Sequence, residues 1–337
     1  CLVFVFTGHP IGCSVNPECG DDREGVRTPF GRPMHIAVVG GGLAGMAAAL
    51  YAANRGATVE LFEQSLALGG QLNMARSIPM KGEFGETVRY FEKSLMAKGV
   101  KIHCGAAVDA ATIGRDWDHV FIATGTVPSV PANIEGTGAA HVLTFDQVLR
   151  DKIPVQFPAV VIGGGGVACD LAKYLAHELE QRDQASPYLR YVADAFSPDL
   201  IHGACLEGGA RKGAASAPIT VLQRSSKKFA YKLGRTTRWI VMKDLETAGV
   251  RMLKGYDIRA ITDTGVQVHN RKTRQDELVA ARTVILAAGQ KPVRGVEQMC
   301  IDANREFTLI GSALEQDAVV SITSATSSAY RAVMALP

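Results

Sequence analysis

Residues 36–45 read IAVVGGGLAG. The four apolar residues Ile36–Val39 form a short continuous run, the mark of a strand buried on both faces of a parallel sheet. They lead straight into Gly40, Gly42 and Gly45, a GxGxxG spacing, and then into an alanine-rich stretch to Asn54 that favours helix. Gly56 stops that helix, and TVELFE at 58–63 has the pattern of a second strand. A strand, a glycine loop, a helix and a strand in this order make one half of a dinucleotide-binding unit.

Each residue of the loop has a physical role in such a unit. Gly40 permits the tight turn, Gly42 lets backbone approach a pyrophosphate, and Gly45 allows helix to pack closely on strand. The helix start offers unpaired N–H groups to the phosphates, with the amide of Ala44 among them. Glu63, eighteen residues beyond Gly45, can accept from ribose hydroxyls. The stretch LGGQL at 68–72 adds a second backbone-rich turn containing Gln71, which the longer FAD molecule needs and a nicotinamide cofactor does not. Val108 follows the third strand, where backbone groups can reach an adenine. FAD is therefore expected in this unit.

A second unit begins at AVVI, 159–162, followed by GGGGVA with Gly163 and Gly165 in a GxGxxA spacing, and then by a helical stretch over 169–180. Its next strand, ITVL at 219–222, comes only after a Gly-, Ala-, Ser- and Pro-rich insertion at 181–218. That insertion is expected to be a surface excursion. The strand end is not acidic: Gln223 is followed by Arg224 and Ser225, with Lys227 and Lys228 close behind. An acidic residue there accepts from a 2′-hydroxyl, whereas an arginine and a hydroxyl suit a 2′-phosphate. NADP is therefore expected over NAD. TVILAAG at 283–289 echoes HVFIATG at 119–125, so the chain carries an internal duplication.

Composition bounds the rest. The 337 residues are 47% hydrophobic and 20% charged with a net charge of +3, which leaves no basic excess for nucleic acid. Seven scattered cysteines without a CxxC pair argue against a disulfide framework and for a reducing compartment, cytoplasm or organelle matrix. The apolar run Leu2–Phe6 is too short for a signal peptide or a membrane span.

The combination CSVNP, AVVGGGLAG, TVELFE, GGQLNMA, IPMKGEF, TVLQR, LGRTTRW and AAGQKP resembles the C-terminal half of the iron–sulfur flavoenzyme type of NADPH-dependent 2,4-dienoyl-CoA reductase, a family related to trimethylamine dehydrogenase and the old yellow enzymes. The resemblance covers nearly the whole chain. It implies an α/β fold of two Rossmann-like, glutathione-reductase-like domains, one inserted in the other. On this reading 1–33 is a cluster remnant and linker, 34–142 and 289–337 are the two parts of an FAD domain, and 143–288 is the NADP domain. FAD contacts would fall on Ala44, Glu63, Gln71, Lys81 and Val108, and NADP contacts on Arg224 and Ser225, with Trp239 near the junction of the two cofactors.

Members of the family begin with a TIM barrel that holds FMN and the acyl-CoA substrate, followed by a [4Fe–4S] cluster bound in the order C-x2-C-x3-C-x11-C. Cys1 and Cys13 have the spacing of its third and fourth ligands, so the resemblance implies a chain that starts inside this motif. A cubane needs about four thiolates, and two should not hold one. Cys104, Cys169, Cys205 and Cys300 are expected in apolar packing.

The implied activity is hydride transfer from NADPH to FAD, with electrons passing through the cluster to FMN. Two departures weigh on it. Met80 stands where the family has glycine after Ile-Pro. IGSAL at 310–314 replaces Ile-Gly-Gly-x-Asp, with Glu315 one place late, and the following SITSATSSAY is poor in helix formers. A nucleotide-binding scaffold without turnover is thus the alternative. A thioredoxin-reductase-type dithiol enzyme lacks its CxxC, and a glutamate-synthase-like module lacks its upstream cysteines.

Overall fold

The computed structural model describes residues 13, 15, 16, 19, 28–182, 218–314 and 321–337. In chain order the main elements are β1 (His35–Val39), α1 (Leu43–Asn54), β2 (Thr58–Glu63), α2 (Phe84–Ala97), β3 (Lys101–Cys104) and β4 (His119–Ile122). Next come β5 (Val142–Thr144), β6 (Ala159–Ile162), α3 (Gly166–Arg182), β7 (Ile219–Gln223), α4 (Arg235–Thr247) and β8 (Arg251–Lys254). The chain continues through β9 (Tyr256–Thr262), β10 (Gly265–Asn270), β11 (Gln275–Ala280), β12 (Thr283–Leu286), β13 (Phe307–Leu309) and α5 (Ile322–Met334).

Contacts divide the chain into two units, Cys1–Val127 with Gln290–Pro337, and Pro128–Gly289. The second is inserted in the first. The sequence reading places the first boundary at 142/143. Residues 128–142 group with the second unit because Glu135 bridges Ala260 and Val142 starts β5, which pairs with β12.

The first unit is a five-stranded parallel sheet in the order β13-β4-β1-β2-β3. Its central strands are mostly apolar and buried, as in a parallel sheet packed on both faces. On one face, α1 buries every residue from Leu43 to Ala52, and its alanines let it lie close to the sheet. Helix α5 packs on the same core through Ala325, Ala329 and Val333, at i, i+4 and i+8.

That helix departs from the expectation of poor helix content. Ser321 and Ser324 close a capping box at its start, and the Arg55 guanidinium donates to the Val333 and Leu336 carbonyls at its end, at 2.8 and 2.9 Å. Capping and an apolar stripe outweigh the weak propensity of its serines and threonines.

The second unit repeats the plan, with a parallel sheet in the order β5-β12-β6-β7-β8. β1, β2 and β4 correspond to β6, β7 and β12. This unit adds an antiparallel three-stranded sheet, β9-β10-β11, whose Ile261, Val266, Val268 and Val279 join the core of the parallel sheet. The architecture is the expected one, two Rossmann-like domains with one interrupting the other. Among the described residues no helix is long and apolar enough to cross a membrane.

Candidate functional site

In the first unit the loop after β1 is held tightly from below and left open above. Gly40 has φ +108°, and a Cβ there would stand 2.3 Å from the Ala123 carbonyl oxygen. A Cβ on Gly45 would stand 1.8 Å from the Gly40 oxygen. No atom lies within 4 Å of a Cβ built on Gly42. Gly42 is also the N-cap of α1, with no side-chain cap and no acidic residue in the first turn. The donors at this helix start are thus left to a ligand or solvent, and the first turn itself supplies no counter-charge to the positive dipole end.

The strand end is tied to the same loop. Glu63 is buried, and its Oε2 accepts the Gly41 N–H at 2.6 Å while Oε1 accepts the Ser65 N–H at 2.7 Å. The Gly69–Gly70 turn lies against the loop: Gly69 N–H donates to the Gly41 carbonyl at 2.9 Å, and a Cβ on Gly70 would meet the Gly42 Cα at 3.1 Å. Gln71, next in the chain, donates from Nε2 to Thr126 Oγ1 at 2.9 Å and to Gln290 Oε1 at 2.7 Å.

From the C-terminal part, Gly311 (φ +61°) presses on the first turn of α1, where its Cβ would lie 2.6 Å from that of Ala44. Gly40, Gly42, Ala44, Gly45, Glu63 and Gln71 thus border one cradle. Its fit to FAD rests on the open face over Gly42 and the uncapped helix start.

Two further expected contacts lie at its margin. Val108 sits in the loop after β3, where Ala106 N–H donates to the Glu63 carbonyl at 3.0 Å, and the Val108 side chain packs on the cluster around Phe62. Lys81 is half-buried, and its N–H donates to the Ile78 carbonyl at 3.0 Å. Met80 beside it has φ +67° and an exposed side chain, so it occupies a conformation suited to the glycine it replaces.

The loop after β6 in the second unit follows the same backbone plan. Gly163 N–H donates to the Leu222 carbonyl at 2.9 Å, as Gly40 N–H does to Phe62 at 2.8 Å. A Cβ on Gly163 would meet the Ala287 oxygen at 2.2 Å, and Gly165, like Gly42, faces open space. At the end of β7 the buried Gln223 donates from Nε2 to the carbonyls of Ser225 and Lys227, at 2.7 and 2.6 Å. Arg224 is exposed, and Ser225 Oγ accepts the Lys227 N–H at 3.1 Å. Beside this turn, Lys228, Tyr231, Leu233, Arg238 and Trp239 line a groove of about 260 Å³. Arg238 is held in it by its Nε–H donating to the Phe229 carbonyl at 2.8 Å.

Of the two expected cluster ligands, the structure describes Cys13. Cys1 and Cys205 lie outside the described residues, as does Glu315. Cys13 is half-buried, with its Sγ accepting the Val15 N–H at 3.5 Å. Among the described residues no group of three or more His, Cys, Asp or Glu side chains gathers that could hold a metal ion. Cys169 and Cys300 are buried as expected, and burial pushes the Cys300 thiol up to about 11. Cys104 is a correction: it ends the edge strand β3 with its side chain exposed.

A charged cavity of the first unit lies elsewhere, at the starting edge of β1, β2 and β3. There Glu60 is buried among Arg115 (2.8 Å), His103 (3.0 Å), His35 (3.4 Å) and Lys101 (3.9 Å). The hydrogen bond from Arg115 leads in lowering its carboxyl to about 2, against the opposing effect of burial. Sequence reading missed this network, and it missed Thr126, Gln290 and Gly41 in the cradle. Thr126 and Gln290 stand 164 positions apart, and no local pattern joins them. Gly41 was legible as the middle glycine, next to the strand-end carboxylate.

The family described as pyridine nucleotide-disulphide oxidoreductase matches residues 34–310. The chain is 30% identical over 329 residues to an NADH oxidase of Thermoanaerobacter brockii, across 95% of this chain and 44% of that protein. It is 29% identical over 320 residues to a metal reductase of Desulforamulus reducens, across 94% of this chain and 46% of that protein. The chain therefore spans under half the length of these curated relatives. Among solved structures, a 2-naphthoyl-CoA reductase in complex with 2-naphthoyl-CoA superposes with a TM-score of 0.82 at 23% identity, across 100% of this chain and 45% of that one. At that identity the likeness is one of fold.

Proposed function

The chain belongs to the pyridine nucleotide-disulphide oxidoreductase family, and from that footing we propose that it is the module that admits electrons from NADPH into FAD within a larger flavoenzyme of the 2,4-dienoyl-CoA reductase type. The single observation that carries this reading is the contrast between two matched cradles. One ends its second strand in a buried carboxylate, Glu63, and the other in Gln223 followed by Arg224 and Ser225. A carboxylate suits the ribose hydroxyls of FAD, and the cationic, hydroxyl-bearing turn suits the 2′-phosphate of NADPH.

When bound, FAD supplies acceptance of hydride and release of single electrons. Gly40, Gly42, Ala44 and Gly45 hold its pyrophosphate at the start of α1, and Glu63 holds its adenosine ribose. Gln71, Lys81 and Val108 border it. Gly163 and Gly165 take the NADPH pyrophosphate, and Arg224 with Ser225 its 2′-phosphate. The acyl-CoA, and the FMN that reduces it, belong to a part of the larger enzyme beyond these 337 residues. A reducing compartment, cytoplasm or organelle matrix, fits the scattered thiols. One relative is named for NADH, so nucleotide choice is what the experiment must decide.

The test is bleaching of the flavin band of the FAD-loaded chain by NADPH or NADH. NADPH should bleach it at the lower concentration, and Arg224→Ala should weaken NADPH by about ten- to a hundredfold while sparing NADH. Equal losses for both nucleotides overturn the assignment. A second reading, a scaffold that binds nucleotide without turnover, is favoured by Leu314, exposed where the resemblance places an aspartate beside the flavin. NADPH binding with no bleaching of a retained flavin would establish it.

A further inference from the structure

We propose that Gln223 is a positioning residue for the nucleotide of the second unit: its buried amide folds the 223–227 turn into the shape that presents Arg224 and Ser225 to a 2′-phosphate. The inference rests on the NADPH reading above and names what would set that preference.

Both protons of the Gln223 amide are spent on the turn, one on the Ser225 carbonyl at 2.7 Å and one on the Lys227 carbonyl at 2.6 Å. The Ser225 hydroxyl closes the turn from the other side by accepting the Lys227 N–H. The amide reaches this place because residue 164 is glycine, since a Cβ there would stand 1.8 Å from Gln223 Oε1. With the side chain buried and its donors used, Gln223 is not itself a ligand for ribose through Nε2. It acts through the turn.

Glu63 holds the matching position in the first unit with the opposite polarity. Its carboxylate accepts from two backbone N–H groups, Gly41 and Ser65, where Gln223 donates to two carbonyls. A carboxylate at 223 cannot donate, so it would set lone pairs against the Ser225 and Lys227 carbonyls and add negative charge beside the phosphate site. One residue would then control both the shape and the charge of the turn, and through them the choice of nucleotide.

The experiment uses the full FAD-loaded chain carrying Gln223→Glu, Gln223→Met or Gln223→His. Binding of NADPH, NADH and adenosine 2′-phosphate is measured by fluorescence titration, with kcat and KM for flavin reduction alongside. Gln223→Glu and Gln223→Met should lower NADPH and adenosine 2′-phosphate affinity about tenfold and leave NADH within about threefold. KM for NADPH should rise with kcat held, and Gln223→His, which keeps a ring donor, should recover part of the loss. NADPH and NADH falling together, or an unchanged ratio in all three variants, overturns the proposal. Arg224→Ala in parallel keeps the two readings separate. If it leaves the ratio unchanged the 2′-phosphate reading fails, and if only the Gln223 variants leave it unchanged the positioning role fails alone.

Discussion

Gly41 donates its backbone N–H to the carboxylate of Glu63 across 2.6 Å, joining the end of β2 to the loop that follows β1. The bond makes Glu63 part of the cradle's own scaffold as well as a candidate ligand. A Cβ at Gly41 would stand 2.9 Å from that of Glu63, so the close approach depends on glycine. Two N–H donors, the buried one of Gly41 and the more exposed one of Ser65, converge on this one side chain.

Replacing Glu63 should therefore register twice. Glu63→Ala leaves two donors without their acceptor, at a cost of about 1–3 kcal/mol. Flavin retained after dialysis should fall at the same time. Thermal unfolding followed by circular dichroism, with flavin absorbance per chain, checks both. Full flavin at unchanged stability would remove Glu63 from the site.

Met80 offers a test in the opposite direction. Its φ of +67° costs an L-residue about 1–2 kcal/mol, while glycine costs roughly 0.5–1 kcal/mol in chain entropy. Because the Met80 side chain is exposed, nothing packed is lost on its removal. Met80→Gly should raise stability by about 0.5–1 kcal/mol, read as a shift of the urea midpoint at constant slope. Met80→Ala keeps the strain and should stay near wild type.

The Glu60 network predicts an acid limb in the stability curve. Arg115, His103, His35 and Lys101 all face this carboxylate, and its value lies near 2 instead of the ordinary 4.5. A carboxylate lowered on folding adds stability above its unfolded value, and that stability is lost as pH falls from about 4.5 toward 2. Its size at neutral pH is on the order of 2–3 kcal/mol. Glu60→Gln should be less stable at pH 7 and should flatten the fall in urea midpoint between pH 5 and pH 2. A limb of unchanged depth in the variant would assign it to other carboxylates.

How much of this was legible in the sequence follows from how local each cause is. The β1–α1–β2 unit is written in contiguous residues: an apolar run, glycines at fixed spacing and an alanine helix. Its copy at 159–223 could be read the same way, despite the 181–218 insertion. Helix α5 could not, because serines and threonines hide a helix stabilised by Ser321 at one end, Arg55 at the other and α1 along its side. The ring of cations around Glu60 depends on residues far apart in the chain, from His35 to Arg115. Contacts start the second unit fifteen residues before the boundary read from the sequence, since Glu135 and Val142 find their partners at Ala260 and Val284.

The duplicated loops differ at the residue that closes each motif, Gly45 in the first and Ala168 in the second, and the difference predicts unequal tolerance. In the first unit a Cβ at Gly45 would stand 1.8 Å from the Gly40 carbonyl oxygen, a contact between backbone and backbone that no side-chain rotation relieves. In the second unit the corresponding residue is Ala168, and its Cβ is accommodated, buried among its neighbours, 3.4 Å from where a Cβ on Gly163 would lie. The first loop is therefore closed down on its helix more tightly than the second. Gly45→Ala must push α1 away from β1, which should cost at least about 2 kcal/mol and displace the Gly42 face from any bound pyrophosphate. Ala168→Gly should cost only the helix preference, about 0.5–1 kcal/mol, and leave nucleotide binding within about threefold. Urea unfolding of the two variants, with FAD retention for the first and NADPH titration for the second, compares them directly. Equal, small losses in both would mean that the first loop is no tighter than its copy and that Gly45 is not needed for close packing.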